Sequence, residues 1–114
     1  MDAREFVDLL RIVVRDGAAS EELSVLHSPP GRQPSADLQE RSTWFDSLPD
    51  DQKRILSSII WDVADRAVFG FLCVLDGVRS IENDREKGHL ELRYVKDNST
   101  LLNPTEGEML HDFW

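Results

Sequence analysis

Two aspartates on one predicted helix have the spacing that best suits chemistry. Asp62 and Asp65 are three residues apart, so a helix places both carboxylates on one side, where they could bind a cation or exchange protons. Arg66 follows Asp62 by four residues, the spacing at which a guanidinium pairs with a carboxylate along a helix. A metal site needs further ligands, and no Glu-x-x-His motif accompanies the aspartates. We therefore expect a structural salt bridge or a place on the helix surface, with a metal- or small-molecule-dependent enzyme using Asp62 and Asp65 as the alternative.

The histidines and the single cysteine lack the spacing of metal ligands or nucleophiles. His27, His89 and His111 are far apart in the sequence, and no His-x-x-x-His or Cys/His pair is present. Cys73 falls late in a predicted helix, near its negative end, where a thiolate is disfavoured. There is also no phosphate-binding glycine loop and no nucleophile elbow. The sequence thus predicts a protein that is not an enzyme, with no metal and no cofactor.

The net charge of the chain limits the kinds of molecule that it is expected to bind. The 114 residues carry 13 basic and 22 acidic side chains, a formal net charge of −9. This field repels phosphate backbones and anionic lipids, so neither nucleic acid nor a membrane surface is an expected partner. Residues 97–114 contain four acids and no Lys or Arg, and acidic surfaces steer association with cationic ones. The first interpretation of the charge is that it keeps the protein soluble, and the alternative is a protein partner of basic character.

Aromatic side chains outnumber what the predicted inward faces require, and Trp is enriched at interface hot spots. The same rings would serve equally well to complete a core. The leading interpretation is a non-enzymatic protein-interaction module of the inhibitor, immunity-like or adaptor type. A structural homodimer formed through Trp61 and Phe69, or through the C-terminal aromatics, is a further alternative. The residues expected at an interface are Trp61, Asp62, Asp65, Phe69, Glu106, Glu108, Asp112, Phe113 and Trp114.

The cytoplasm is the expected compartment. One cysteine cannot form a disulfide within the chain, and the acidic N-terminal segment does not resemble a signal peptide. The longest apolar run, residues 67–75, is well short of the roughly 20 residues that cross a bilayer. No membrane span is expected.

Apolar periodicity indicates the helices that position these residues. Helical stretches are predicted from Asp2 to Asp16, from Ser20 to His27, from Ser35 to Pro49 and from Pro49 to Asp76. Asp2 and Glu5 have capping-box spacing, and Asp16-Gly17 is the predicted end of the first stretch. The face of the long central helix expected to turn inward comprises Leu56, Ile59, Ile60, Val63, Ala64, Ala67, Gly70, Phe71 and Val74. For Gly70 we expect close packing against a neighbour that leaves no room for a Cβ.

After Gly77 the apolar pattern changes to a period of two. Residues 78–102 are predicted to form a two- or three-stranded antiparallel meander, in which His89–Val95 alternates cleanly, Thr100–Leu102 returns beside it and Val78–Glu82 is a further candidate strand. One or two helical turns are expected within residues 106–114. The fold class expected is α+β, with about three helices and a long central helix packed on a small antiparallel β-meander. Residues 1–114 are expected to form a single domain.

Overall fold

A continuous helical rod forms the first part of the chain in the computed structural model, which describes residues 1–114. The rod consists of α1 (Ala3–Leu10), a π-helical segment (Arg11–Asp16) and α2 (Gly17–His27). The predicted cap is confirmed: the Asp2 carboxylate accepts from the Glu5 amide at 2.9 Å, and the Glu5 carboxylate accepts from the Asp2 amide at 3.0 Å.

The predicted end at Asp16-Gly17 is wrong, and the stretch from Ser20 to His27 is not a separate helix. Gly17 has helical dihedral angles, φ −59° and ψ −50°, so the rod continues through it. A glycine inside a helix costs only about 1 kcal/mol relative to alanine. Burial of Ala19 and Leu26 further along α2 offsets a penalty of that size.

The next two helices agree closely with the sequence prediction. α3 spans Ala36–Ser47, and the Ser35 hydroxyl caps it by accepting from the Leu38 amide at 3.3 Å. α4 spans Asp50–Leu75 and begins directly after Pro49. Pro49 fits a helix entry because proline has no amide to leave unpaired.

Two glycines, Gly70 within α4 and Gly77 directly after it, have different structural roles. Gly77 follows the helix with φ +76°, a left-handed conformation that glycine adopts without strain. Gly70 lies within the helix, and a Cβ there would meet the Arg79 guanidinium. The close neighbour of Gly70 is therefore the end of a flexible side chain.

The sheet has two strands, the smaller of the two numbers predicted. β1 (Arg93–Val95) pairs antiparallel with β2 (Ser99–Leu101), with Tyr94 opposite Thr100. The candidate strand at Val78–Glu82 is absent. The amides of Val78 and Arg79 instead donate to the Cys73 carbonyl at 3.0 and 3.1 Å, so these groups extend the end of α4 and are not available for a β-ladder.

The core joins the helices to the hairpin and confirms an α+β fold. A short 3₁₀ helix, Leu110–Phe113, supplies the helical turn expected near the C-terminal end. The buried apolar core consists of Val7, Val68, Leu72, Leu102 and Leu110.

None of the helices combines the length and apolar character needed to span a membrane.

One buried amide side chain fastens the loop before β1 to the long helix. The Asn103 Nδ2 group donates to the carbonyl oxygens of Leu75 at 2.7 Å and Leu90 at 2.9 Å, and its Oδ1 accepts from the Leu92 amide at 2.7 Å. All of its hydrogen-bonding groups except one acceptor lone pair are thereby used. Asn103 consequently fixes the position of the hairpin relative to α4.

Candidate functional site

The two aspartates singled out by their spacing have different surroundings. Asp65 accepts a hydrogen bond from Arg15 of the π-helical segment at 3.1 Å, and Arg15 also binds Asp16 at 2.8 Å. Hydrogen bonds to Asp16 and then to Asp65 raise the pKa of Arg15 above its ordinary value. Asp62 is exposed and has no ion-pair partner within the chain. Asp65 is therefore held in an ion pair with Arg15, whereas the Asp62 carboxylate is unpaired within the chain.

The pairing of Asp62 with Arg66 that their spacing allows does not form: the salt bridge is made by Asp65 with Arg15, and Asp62 lies on the helix surface. Both side chains are exposed, and neither takes part in any ion pair or side-chain hydrogen bond of the chain. A solvated pair on a helix surface gains only a fraction of a kcal/mol, roughly 0.3–0.5, so this spacing alone does not ensure a contact. Both side chains are exposed and unpaired within the chain.

No cluster of three or more His, Cys, Asp or Glu side chains is arranged to hold a metal ion. A cavity of about 830 Å³ lies between the end of α4 and the loop that precedes β1, and its walls include Leu75, Arg79 and Glu106. Neither Asp62 nor Asp65 lines it. The aspartates and this cavity are therefore separate features.

Glu91 stands at the rim of the cavity. Its carboxylate accepts from Arg93 at 3.1 Å and lies 3.5 Å from His89 Nε2. The Arg93 hydrogen bond and charge, followed by the His89 hydrogen bond, lower the pKa of Glu91.

The C-terminal aromatics dock on the helical rod. The guanidinium of Arg4 lies 4.7 Å from the centre of the Phe113 ring, and those of Arg11 and Arg15 lie 5.1 and 5.5 Å from the Trp114 ring. Arg11 also donates to the carbonyl oxygens of Phe113 and Trp114. These rings are half-buried and make cation–π contacts inside the chain.

Phe69 and Trp61 differ in their surroundings. Phe69 is 37% exposed and meets the His111 ring edge-on, with centroids 6.2 Å apart, so it borders the docked C-terminal segment. Arg15 joins Asp65 to Trp114 in the same region. Trp61 is half-buried on α4.

The predicted acidic residues remain on the surface. Glu106 and Glu108 are exposed and form no ion pair within the chain. Asp112 is exposed, and its carboxylate accepts from the Met109 amide at 2.8 Å, capping the 3₁₀ helix. Asp112 therefore has a structural partner, whereas the two glutamates carry uncompensated charge.

The inward face predicted for α4 is correct only in part. α4 buries Val68, Gly70, Leu72 and Cys73, of which only Gly70 was predicted, and four of the nine predicted residues are exposed. Ile59 is 53%, Val63 60% and Phe71 59% exposed. Apolar periodicity locates an apolar helix face but does not specify what covers it, and the apolar residues of α4 extend around most of its circumference.

The exposed residues form a continuous row along the helix. Their spacing of four residues makes them neighbours on one ridge. We call this row the α4 stripe: Ile55, Ile59, Val63, Ala67 and Phe71. It spans 17 residues, and its ends are about 24 Å apart at 1.5 Å per residue. The apolar pattern of the sequence signalled these residues, but as core.

The overall dimensions agree with an uncovered apolar surface. The radius of gyration is 18.6 Å, whereas a compact chain of this length has about 13 Å. Only 12 of the 114 residues are buried. Two more large apolar side chains, Ile12 and Val13 of the π-helical segment, are 64% and 70% exposed. The chain by itself leaves many large apolar side chains in water.

Comparison of the chain with protein-family models, with curated proteins and with solved structures gives no match. No relative therefore assigns a role to any of these residues. The α4 stripe places four large exposed apolar side chains in a regular row on one helix, a feature that marks interaction surfaces more often than chance exposure does.

Proposed function

We propose that the protein is a non-enzymatic protein-interaction module whose binding surface is the α4 stripe. The observation that carries this proposal is the row of exposed apolar side chains, from Ile55 to Phe71, on one ridge of the longest helix. Monomeric proteins rarely expose contiguous apolar patches of more than a few hundred Å². Covering such a ridge with another protein removes it from water, at a gain of roughly 25 cal/mol per Å².

The shape of the surface favours a protein over a small molecule. Small-molecule sites are concave and bury most of their ligand, whereas a single helix ridge is convex. Amphipathic helices bind protein partners through apolar side chains spaced three and four residues apart. The cytoplasm is the proposed compartment, in keeping with the free, buried Cys73.

The enzyme alternative has less support. Arg15 holds Asp65 in an ion pair, and the 830 Å³ cavity is lined by neither aspartate. A paired-carboxylate mechanism needs both groups to face a common substrate site. The interaction module is therefore the better supported proposal.

Photo-crosslinking inside cells that express the protein tests the proposal. A photo-reactive amino acid replaces Val63 in the α4 stripe, and a matched protein carries it at Thr43, an exposed position of α3. Discrete protein adducts are expected from position 63 and not from position 43. Adding Ile59→Glu should abolish the adducts, whereas Val95→Glu, on an equally apolar residue that is 69% exposed outside the stripe, should leave them. Absence of adducts from position 63 would overturn the proposal.

A further inference from the structure

We infer that the partner covering the α4 stripe is the α4 stripe of a second copy of this chain. This inference rests on the proposed function and specifies its partner. The resulting dimer has a two-fold axis that passes close to Val63, the middle residue of the stripe, with the two α4 helices running in opposite directions across it. Such an isologous contact uses one surface twice.

The total surface of the chain leaves room for a dimer interface. The chain exposes 8409 Å², whereas a compact monomer of 13.1 kDa exposes about 6,400 Å². The excess is about 2,000 Å² on this scale, spread over an elongated molecule of which the α4 stripe is one part. A standard interface takes about 800 Å² from each partner. The surplus of the whole chain is therefore large enough to include an interface on α4.

The spacing of the stripe also suits self-association. Its side chains follow the i, i+4 ridge, and ridges of this type from two helices interdigitate at about −50°, the commonest crossing in globular proteins. A two-fold axis near Val63 brings Ile59 of each copy towards Ala67 of the other. A bulky side chain then faces a small one, which allows the helices to approach closely.

Charges beside the stripe are complementary under the same symmetry. Asp62 and Arg66 lie on its exposed flank and have no ion-pair partner within their own chain. A two-fold axis near Val63 places Asp62 of each copy opposite position 64 of the other, two residues or about 3 Å along the helix from Arg66, so the Arg66 guanidinium can reach the Asp62 carboxylate across the contact. The symmetry generates this bridge twice, and charge complementarity of this kind fixes the register of an interface.

The net charge of the chain does not oppose this contact. Residues 52–71 contain three basic side chains, Lys53, Arg54 and Arg66, and two acidic ones, Asp62 and Asp65. The α4 surface is therefore nearly neutral, although the whole chain carries −9. The acidic excess lies elsewhere, where it keeps dimers apart from one another.

Sedimentation equilibrium of the purified full chain tests the inference. The wild-type protein at micromolar concentration is expected at twice the 13.1 kDa chain mass. Val63→Glu should raise the dimer dissociation constant by about a hundredfold or more, because two carboxylates would meet at the axis. Val95→Glu, which adds the same charge outside the stripe, should leave it unchanged. A wild-type monomer, or a dimer that Val63→Glu does not weaken, would overturn the inference.

A charge-swap series keeps the test decisive even where Val63→Glu fails to fold. Asp62→Arg and Arg66→Asp should each raise the dissociation constant by about tenfold, because each sets like charges opposite one another. The double variant carrying both changes restores opposite charges and should restore the dimer. Failure of the double variant to recover would refute the two-fold register.

The outcomes separate this inference from the proposed function. If position 63 crosslinks to a different protein and the purified chain is a monomer, the interaction module stands and self-association is refuted. If position 63 gives no adduct at all and the chain is a monomer, both are refuted. An adduct of twice the chain mass together with the recovered charge swap supports both.

Discussion

Asp76 and His111 join the end of α4 to the 3₁₀ helix through one carboxylate oxygen. The Asp76 Oδ2 atom accepts from the backbone amide of His111 at 2.8 Å and lies 2.7 Å from its ring Nδ1. The Asp76 side chain is only 1% exposed. His111 in turn stacks edge-on against Phe69, so this carboxylate organises the place where the C-terminal segment meets α4.

Asp76→Ala is expected to lower the free energy of unfolding by about 2–3 kcal/mol, because it leaves a backbone amide and an imidazole without their charged acceptor. Urea unfolding at fixed protein concentration measures the change. Asp84→Ala removes an exposed loop carboxylate and serves as the control, with an expected change within about 0.5 kcal/mol. Equal effects of the two substitutions would contradict a structural role for Asp76.

Asn103→Ala is expected to destabilise the fold by about 2–3 kcal/mol, because two carbonyl oxygens and one amide lose their partner together. Hydrogen exchange should show the local effect: the Leu92 amide, which donates to Asn103, should lose protection. Asn98→Ala, at an exposed position of the hairpin turn, is the matched control. Unchanged protection of Leu92 in the Asn103 variant would show that the side chain does not hold the loop.

Gly70→Ala is expected to stabilise the protein by about 0.5–1 kcal/mol, the gain in helix propensity. The new Cβ would displace only the flexible end of Arg79. Gly17→Ala is the matched control, because a Cβ at that helical position has open space, with Ile12 O nearest at 4.0 Å. Thermal and urea unfolding should show similar gains for both. A loss of stability for Gly70→Ala alone would indicate that Arg79 cannot move away.

Glu91 is expected to titrate at lower pH than an ordinary glutamate, as measured by the pH dependence of its carboxyl carbon shift in NMR spectra. Arg93→Gln should raise this pKa towards its usual value, and His89→Gln should raise it less, since Arg93 is the larger cause. Because the pKa is lowered on folding, the associated stabilisation is present above the ordinary glutamate pKa and is lost as the pH falls through the lowered one. A Glu91 pKa that does not respond to Arg93→Gln would contradict the assigned contact.

The sequence predicted most accurately the helices whose first residues are capping residues. Ser35 and Pro49 mark helix entries through a hydroxyl acceptor and a missing amide, and α3 and α4 begin where these residues indicate. The antiparallel turn between β1 and β2 is likewise indicated by its turn residues. The site was harder to predict, because the outward orientation of Val63 depends on which apolar face of α4 the core uses. That choice is made by tertiary packing, which local periodicity does not encode.

The sequence was misleading where one strong local signal competed with burial elsewhere. Gly17 suggested a helix end, yet the rod continues because residues beyond it are buried. Val78 suggested a strand, yet its amide completes the end of α4. The Asp62–Arg66 spacing suggested a bridge, yet exposed pairs gain too little to form reliably.

The π-helical segment makes the rod one residue longer than its packing requires. Val7, Ala19 and Leu26 are all buried, although on a regular α-helix Ala19 would stand about 120° around the axis from Val7. If one residue between Val7 and Ala19 is left out of the count, Ala19 lies within about 20° of Val7 around the helix axis. Leu26 then lies five whole turns from Val7, on the same side of the rod. The segment thus accommodates an insertion without shifting the phase of α2. Deleting Val13 should therefore leave a regular, fully α-helical rod with the same buried line, whereas deleting one residue within α2 should unfold it, a contrast that circular dichroism on melting would show.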